Sequence, residues 1–427
     1  VGQRNSDASR HIIGKLHILD HMASAVTPAL ATSQARNLRL IQTTGYFIAF
    51  IALGVSMASM GPSLSSLAAH TGSTLAQVSV VFTARAFGYM VGSLVGGRLY
   101  DRLNGNPIIG LSFLIMAAML AFTPVITQLW LLSLVLVLLS VADGIIDVGC
   151  NTLLVWAHRE SSTLGPFMNA LHFFFGIGAF ATPILAAQVL ATTGDVHWLF
   201  WILAGLVLIP AVMNLRIASP AHPSHINITP SPSASQQTRP PENMRLVLLM
   251  AVFFFAIVGL EAICAGWIAS YALATGFGNE AEAAVVASVF WGGFTLARLL
   301  SIPLATRMPA RAMLWINVIG CGLFAVLMIT FTPAAFALWV GAFGLGFCVA
   351  PLFPTMISFA ESRMAITGKV TSIFLAGSSI GGMTLPWLVG QMFVPVGPQS
   401  LLWMALAATA ITALILLVAQ RLTRHSA

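Results

Sequence analysis

Five charged side chains stand well inside stretches that are otherwise apolar. Asp143 and Asp147 fall in residues 129–157, Glu261 in 244–275, Arg85 in 75–101 and Arg298 in 281–306. At the centre of a bilayer each such charge costs at least ~2.5 kcal/mol, so it is tolerated where it pairs or faces a water-filled cavity. A carboxylate in that position can exchange a proton or give its oxygens to Na+. The four-residue spacing of Asp143 and Asp147 puts both on one helix face. Asp147 is the first candidate for cation coupling, against a structural Arg85–Asp147 ion pair. Asp143 reads either as the second member of a paired-carboxylate site or as a bond to a neighbouring helix. Asn151, one turn after Asp147, carries both a donor and an acceptor for a solute hydroxyl. Glu261 suits a second cation ligand or an acceptor for solute hydroxyls.

Four more side chains complete the candidate solute site. His172 and Asn169 could bond a polar solute, or make a satisfied interhelical hydrogen bond. Trp267 and Trp291 lie more centrally than Trp130, Trp198, Trp339 and Trp403, which mark helix ends as interface anchors. Their flat rings could stack on an apolar face of a solute, with simple packing as the alternative. Cys150, Cys264, Cys321 and Cys348 all sit in apolar runs without metal-ligand spacing and read as packing residues.

Composition says what holds these groups. The 427 residues include 19 Lys+Arg and 12 Asp+Glu, 7% of the chain, against about 25% in a soluble protein. Hydrophobic residues make up 58% and the mean hydropathy is +0.91. So few charges could not cover a soluble fold of this size. A cytosolic enzyme, a disordered chain and a nucleic-acid binder are excluded. The pI near 9.8 reflects scarce acids rather than a basic patch.

Twelve segments are long enough to cross a bilayer: 41–68, 75–101, 108–128, 129–157, 163–191, 196–217, 244–275, 281–306, 310–331, 333–361, 366–393 and 397–421. The fold class expected is an all-α integral membrane protein. Arg36, Arg39, Arg98, Arg102, Arg159, Arg216, Arg239, Arg245, Arg307, Arg311, Arg363, Lys369, Arg421 and Arg424 all fall at alternate connections or ends. The connections after helices 1, 3, 5, 7, 9 and 11 hold no Lys or Arg. Basic connections stay cytoplasmic, which puts both termini inside. Residues 218–243, rich in Pro and Ser, read as a cytoplasmic linker. It divides a six-helix unit at 41–217 from a second at 244–421, with a cytoplasmic segment at 1–40 and a tail at 422–427. The chain begins with Val1, and Met22 is a candidate start.

The halves resemble each other. Gly165, Ile177, Gly178, Pro183 and Gln188 recur as Gly368, Ile380, Gly381, Pro386 and Gln391, each 203 residues on. Gly88, Leu99 and Arg102 recur as Gly293, Leu304 and Arg307 at 205. A duplicated bundle in parallel orientation makes two halves about an axis along the membrane normal, with a cavity between them. Pro351, Pro354 and Pro386 offer kinks that gating can use.

The connection GRLYDRLNGNP at 97–107 carries Gly97, Leu99, Asp101 and Arg102 in the G-x-L-x-D-R pattern of the major facilitator superfamily. Gly97 would allow close helix approach. Asp101 can accept from a helix N-terminus or a basic side chain and latch the cytoplasmic face. The equivalent stretch ending at Arg307 has lost the acid; Arg85 and Arg307 join Gly97, Asp101 and Arg102 as gating or latch candidates. ARAFGYMVGSLVGG, DVGCNTLLVW, MNALHFFFGIGAFATP, FWGGFTLARLLSIPLATR, LFPTMISFAE and TGKVTSIFLAGSSIGGMTLPWLVGQMF narrow the likeness. Over roughly residues 40–420 the chain resembles the fucose:proton symporter family, most of all its sodium-dependent glucose transporter branch. The resemblance implies cation-coupled uptake of a hexose-like solute. Asp147 matches the acid of the family's helix-4 motif and Glu261 its helix-7 acid, whereas Asp143 is outside the pattern. The helix-1 acid of the fucose:proton members is missing before Gly61-Pro62, where Ser56 and Ser59 stand instead.

The expected function is therefore secondary active, Na+- or H+-coupled uptake of a monosaccharide-like solute. The alternative is a proton-coupled exporter of drugs or amphipathic metabolites, which the 18 Met and 27 Phe would suit. An enzyme would need a nucleophile–base pair or a metal motif, and the sequence has no H-E-x-x-H. No cofactor is expected beyond the coupling ion, and no nucleic-acid partner. The expected partners are the solute and the lipid bilayer, with a monomer in the plasma membrane (the inner membrane in a bacterium).

Overall fold

The computed structural model describes residues 36–159, 164–222, 244–364 and 367–424. Most of the expected N-terminal segment, Met22, the linker from 223 on with Arg239, and residues 425–427 lie outside the described residues. Among those described, twelve helices are long and apolar enough to cross a membrane. They are α1 (Arg36–Ala58), α2 (Leu75–Tyr100), α3 (Gly105–Val125), α4 (Leu129–His158), α5 (Leu164–Thr193) and α6 (His197–Arg216). The second set is α7 (Met244–Ala274), α8 (Glu280–Ala305), α9 (Ala310–Thr330), α10 (Ala335–Glu361), α11 (Lys369–Phe393) and α12 (Ser400–Leu422).

The main departure from the expected spans is in the first. The 41–68 segment is two helices, α1 and a second piece Met60–His70, joined by a turn at Ser59. Pro62 has no N–H, and its ring would collide with the carbonyl of Ala58 in an unbroken helix. At the turn the Ser56 carbonyl accepts from Ser59 Oγ at 2.7 Å and from the Ser59 N–H at 3.4 Å. Span α10 breaks in the same way between Val349 and Leu352, beside Pro351 and Pro354. Pro386 lies inside a continuous helix.

Close packing between helices explains the repeated glycines. A Cβ on Gly88 would lie 2.3 Å from the Val137 carbonyl oxygen, and one on Gly92 would lie 2.1 Å from that of Val141, so α2 rests directly on α4. Gly293 occupies the place of Gly88 in the second half, where a Cβ would lie 2.3 Å from the Phe343 carbonyl oxygen of α10. A Cβ on Gly178 would lie 2.0 Å from the Ile51 carbonyl oxygen of α1, and one on Gly381 would lie 2.0 Å from that of Phe255 in α7. Backbone approach of this kind replaces a hydrophobic drive that lipid cannot supply. Two six-helix bundles result.

The bundles meet at the end that carries the α1–α2 and α7–α8 connections. There Gln391 Nε2 donates to the Ala76 carbonyl at 2.8 Å and Thr83 Oγ1 to that of Met383 at 2.9 Å. Gly61 presses on the Ala265 carbonyl oxygen, 2.3 Å from where a Cβ would be. The halves also pack along α5 and α8, with Gly176 against Thr295, and elsewhere from mid-depth to the other end they part around a cavity of about 1050 Å³. Its walls run out to Ala305, Met308 and Ala310 at the α8–α9 connection.

One expectation is corrected here. Gly97 makes no close approach, since a Cβ there would meet nothing within 4 Å. The contrast makes a test. Gly92→Ala is expected to cost about 1–3 kcal/mol by overpacking, lowering the melting temperature and the monodisperse fraction on gel filtration. Gly97→Ala should leave both unchanged.

Candidate functional site

The α2–α4 contact brings two pairs of polar side chains into register. Arg85 and Tyr89 stand one turn apart on α2, and Asp143 and Asp147 one turn apart on α4. Each α2 residue bonds the α4 residue 58 positions on. Arg85 Nη2 donates to Asp143 Oδ2 at 2.8 Å, and its Nε donates to Ser140 Oγ at 3.0 Å. Its Nη1 reaches the Ser56 carbonyl at 3.1 Å, so Arg85 ties α1, α2 and α4 together. One turn further on, the Tyr89 hydroxyl donates to Asp147 Oδ2. Asn151 Nδ2 donates to Asp147 Oδ1 at 3.0 Å and to the Asp147 carbonyl at 2.9 Å.

This arrangement corrects several expectations. Arg85 pairs with Asp143, not Asp147, and it sits beside the cavity rather than at the cytoplasmic latch. Asp143 is fully buried, away from the cavity wall, and forms no paired-carboxylate site with Asp147. The bond to a neighbouring helix is its observed role. Asn151 does not line the cavity; it braces Asp147. Trp267 is 0% exposed, and its Nε1 donates to the Pro386 carbonyl at 3.0 Å, so it packs the second half rather than facing a solute.

Asp147, Glu261, His172, Asn169 and Trp291 do share one cavity. Asp147 is the carboxylate of its first-half wall and has no cationic partner among the described residues; both its oxygens accept only from neutral donors. His172 turns its ring edge to Phe50, with centroids 5.5 Å apart. Asn169 is exposed near the mouth, its Nδ2 bonded to the Gly165 carbonyl at 3.1 Å. Trp291 packs edge-on against Phe175 at 6.1 Å and Phe294 at 5.2 Å. Glu261 comes from α7 and Arg298 from α8. At the α2–α3 connection Asp101 and Arg102 are exposed, and Asp101 makes no ion pair with a described residue. Arg307 is exposed at the matching place.

Sequence reasoning missed Tyr89 and left Arg298 as an intramembrane charge without a role. The signal for Tyr89 was available: its spacing from Arg85 copies the Asp143–Asp147 spacing.

Residues 45–375 match the family described as the Major Facilitator Superfamily. The chain belongs to the Major Facilitator Superfamily. As a superfamily member it is a multi-pass membrane transporter and not an enzyme. Its sequence relatives include sodium-dependent glucose transporter 1A of Mus musculus, 28% identical over 378 residues, which are 81% of this chain and 88% of that protein. Sodium-dependent glucose transporter 1 of Xenopus laevis is 30% identical over 395 residues, 86% of this chain and 79% of that one. These relatives bear out the resemblance carried by the motifs. Among solved structures, the nucleoside transporter NupG superposes with a TM-score of 0.66 at 16% identity, over 90% of this chain and 98% of its own. A bacterial homolog of the human lysosomal transporter Spinster, in an inward-facing and occupied conformation, gives 0.66 at 15% identity, over 90% and 97%. At those identities the likeness is one of fold.

The Arg85–Asp143 pair can be tested apart from transport. Asp143→Ala leaves a buried guanidinium without its counter-charge and is expected to cost about 3–5 kcal/mol. The double variant Arg85→Met with Asp143→Leu should recover most of that loss. Thermal unfolding in detergent measures both; equal damage from single and double variants would contradict a structural role for the pair.

Proposed function

We propose that this transporter takes up a neutral, monosaccharide-like solute coupled to a cation, Na+ or H+, bound at Asp147. The observation that carries the reading is a cavity-wall carboxylate with no cationic partner among the described residues. It is held in place by Tyr89 and Asn151 near mid-depth in the cavity wall. An unpaired carboxylate at that depth is costly until a cation joins it. A cation there removes the net charge, which favours both solute entry and rocking of the halves about the site. The names of the glucose-transporting relatives point the same way.

The basic connections assign the open end of the cavity to the cytoplasm. The state seen is then inward-open, with the outer end closed by the bonds from Gln391 and Thr83. Asp101 and Arg102, exposed here, latch the inner face in the opposite state. Residues 41–217 and 244–421 are the two rocking units, joined by the 218–243 linker. Met57, Met60, Phe175 and Phe294 in the wall favour the second reading, an exporter of amphipathic solutes. Glu261 and Arg298 beside them favour a polar solute.

The deciding experiment is counterflow of labelled glucose, fucose and galactose in proteoliposomes, with Na+ and pH varied independently. Saturable exchange stimulated by one cation is expected. Asp147→Asn should reduce cation-dependent accumulation at least about tenfold, the loss of a charge-assisted interaction, while cation-independent exchange survives. Full accumulation by Asp147→Asn would remove Asp147 from coupling. No exchange of any hexose by folded protein would transfer the assignment to export.

A further inference from the structure

Two opposite charges face the cavity without touching. Glu261 and Arg298 feel each other electrostatically, yet no ion pair joins them within 4.0 Å. Neither side chain has a hydrogen-bond partner among the described residues, and Arg298 Nε is buried with its donor unsatisfied. The guanidinium lies 4.9 Å from the centre of the Phe294 ring, which holds its orientation. Trp291, Phe294 and Arg298 are spaced three and four apart, so α8 presents them as one stripe along the cavity. Glu261 looks onto that cavity from α7.

Both side chains are half-buried in the wall of the cavity, where water can solvate them, so a solute that displaces that water must replace its hydrogen bonds. A guanidinium only donates hydrogen bonds, and an ionised carboxylate only accepts them. A group that bridges both must accept on one side and donate on the other, which is what a hydroxyl does. An anionic solute would be repelled by Glu261 and a cationic one by Arg298, whereas a neutral polyol meets neither penalty.

We infer that Arg298 and Glu261 form a clamp for adjacent hydroxyls of a neutral polyol, whose apolar face rests on Trp291. The inference rests on the proposed reading of the cavity as the solute site. It makes Arg298 a specificity-determining residue and places Glu261 on the solute rather than on the coupling cation. Coupling and selection are thereby divided between the halves, with Asp147 on one wall and the Glu261–Arg298 clamp on the other.

The test is binding by the purified full-length protein, read from thermal stabilisation. The probes are neutral hexoses, myo-inositol and glucuronate, then monodeoxy analogues of the best binder. Wild type is expected to bind a neutral polyol and to lose about ten- to a hundredfold in affinity when either of two adjacent hydroxyls is removed, the weight of a hydrogen bond to a charged group. Glu261→Gln should level the discrimination at one of these hydroxyls, and Arg298→Gln at the other. Should Arg298→Gln not fold, Arg298→Lys serves in its place, because it keeps the charge but loses the planar fork. Variants that bind the polyol with wild-type discrimination at both hydroxyls overturn the clamp and leave the proposed function standing. Wild type that binds glucuronate best, or binds no neutral polyol, overturns both.

Discussion

The contact of α2 with α4 through bare glycine backbone is the constraint on which the site depends. With Gly88 and Gly92 against the carbonyls of Val137 and Val141, the two helices can lie in one register and at one distance. That register sets Arg85 against Asp143 and Tyr89 against Asp147. The deeper pair neutralises itself and is tied to α1 through Ser56. The second pair leaves a carboxylate bonded only by neutral donors at the edge of the cavity. A bulkier residue in the contact would separate the helices, and both pairs would open together.

The second half repeats the scaffold without repeating the chemistry. Gly293 meets α10 as Gly88 meets α4. Counting the same steps along α8, the positions of Arg85 and Tyr89 fall on Phe290 and Phe294. Counting along α10 from the contacted carbonyl of Phe343, those of Asp143 and Asp147 fall on Val349 and Phe353. The charged pairs of one half become apolar in the other, where Phe294 and Phe353 line the cavity. The second half keeps its own charges elsewhere, at Glu261 and Arg298. Duplication therefore preserves what backbone packing requires and leaves side chains along the cavity free to diverge.

Much of this was legible in the sequence because a bilayer makes simple demands. A chain that must satisfy its backbone inside hydrocarbon has to form long apolar helices, and twelve such segments can be counted. The offsets of 203 and 205 residues likewise found glycines whose places in the structure correspond, such as Gly178 with Gly381 and Gly88 with Gly293. What periodicity could not supply was the partner of each polar group. Asp143 and Asp147 share a face, but which of them meets Arg85 depends on where α2 lies along α4. Trp267 and Trp291 are alike in sequence, and one is locked against Pro386 while the other faces the cavity.

The sequence by itself determined the all-α membrane architecture, the two related halves and the small set of intramembrane charges, because composition and span length record the cost of burying polar groups in lipid. Only the tertiary structure decided which charges pair and which face the cavity without an ion-pair partner among the described residues. It joined Arg85 to Asp143, gave Asp147 to Tyr89 and Asn151, and set Glu261 and Arg298 on the cavity wall with no ion pair between them. The physical reason is register. Hydrogen bonds and ion pairs form over a few ångströms, and separations that small are set by which backbone atoms two helices bring into contact.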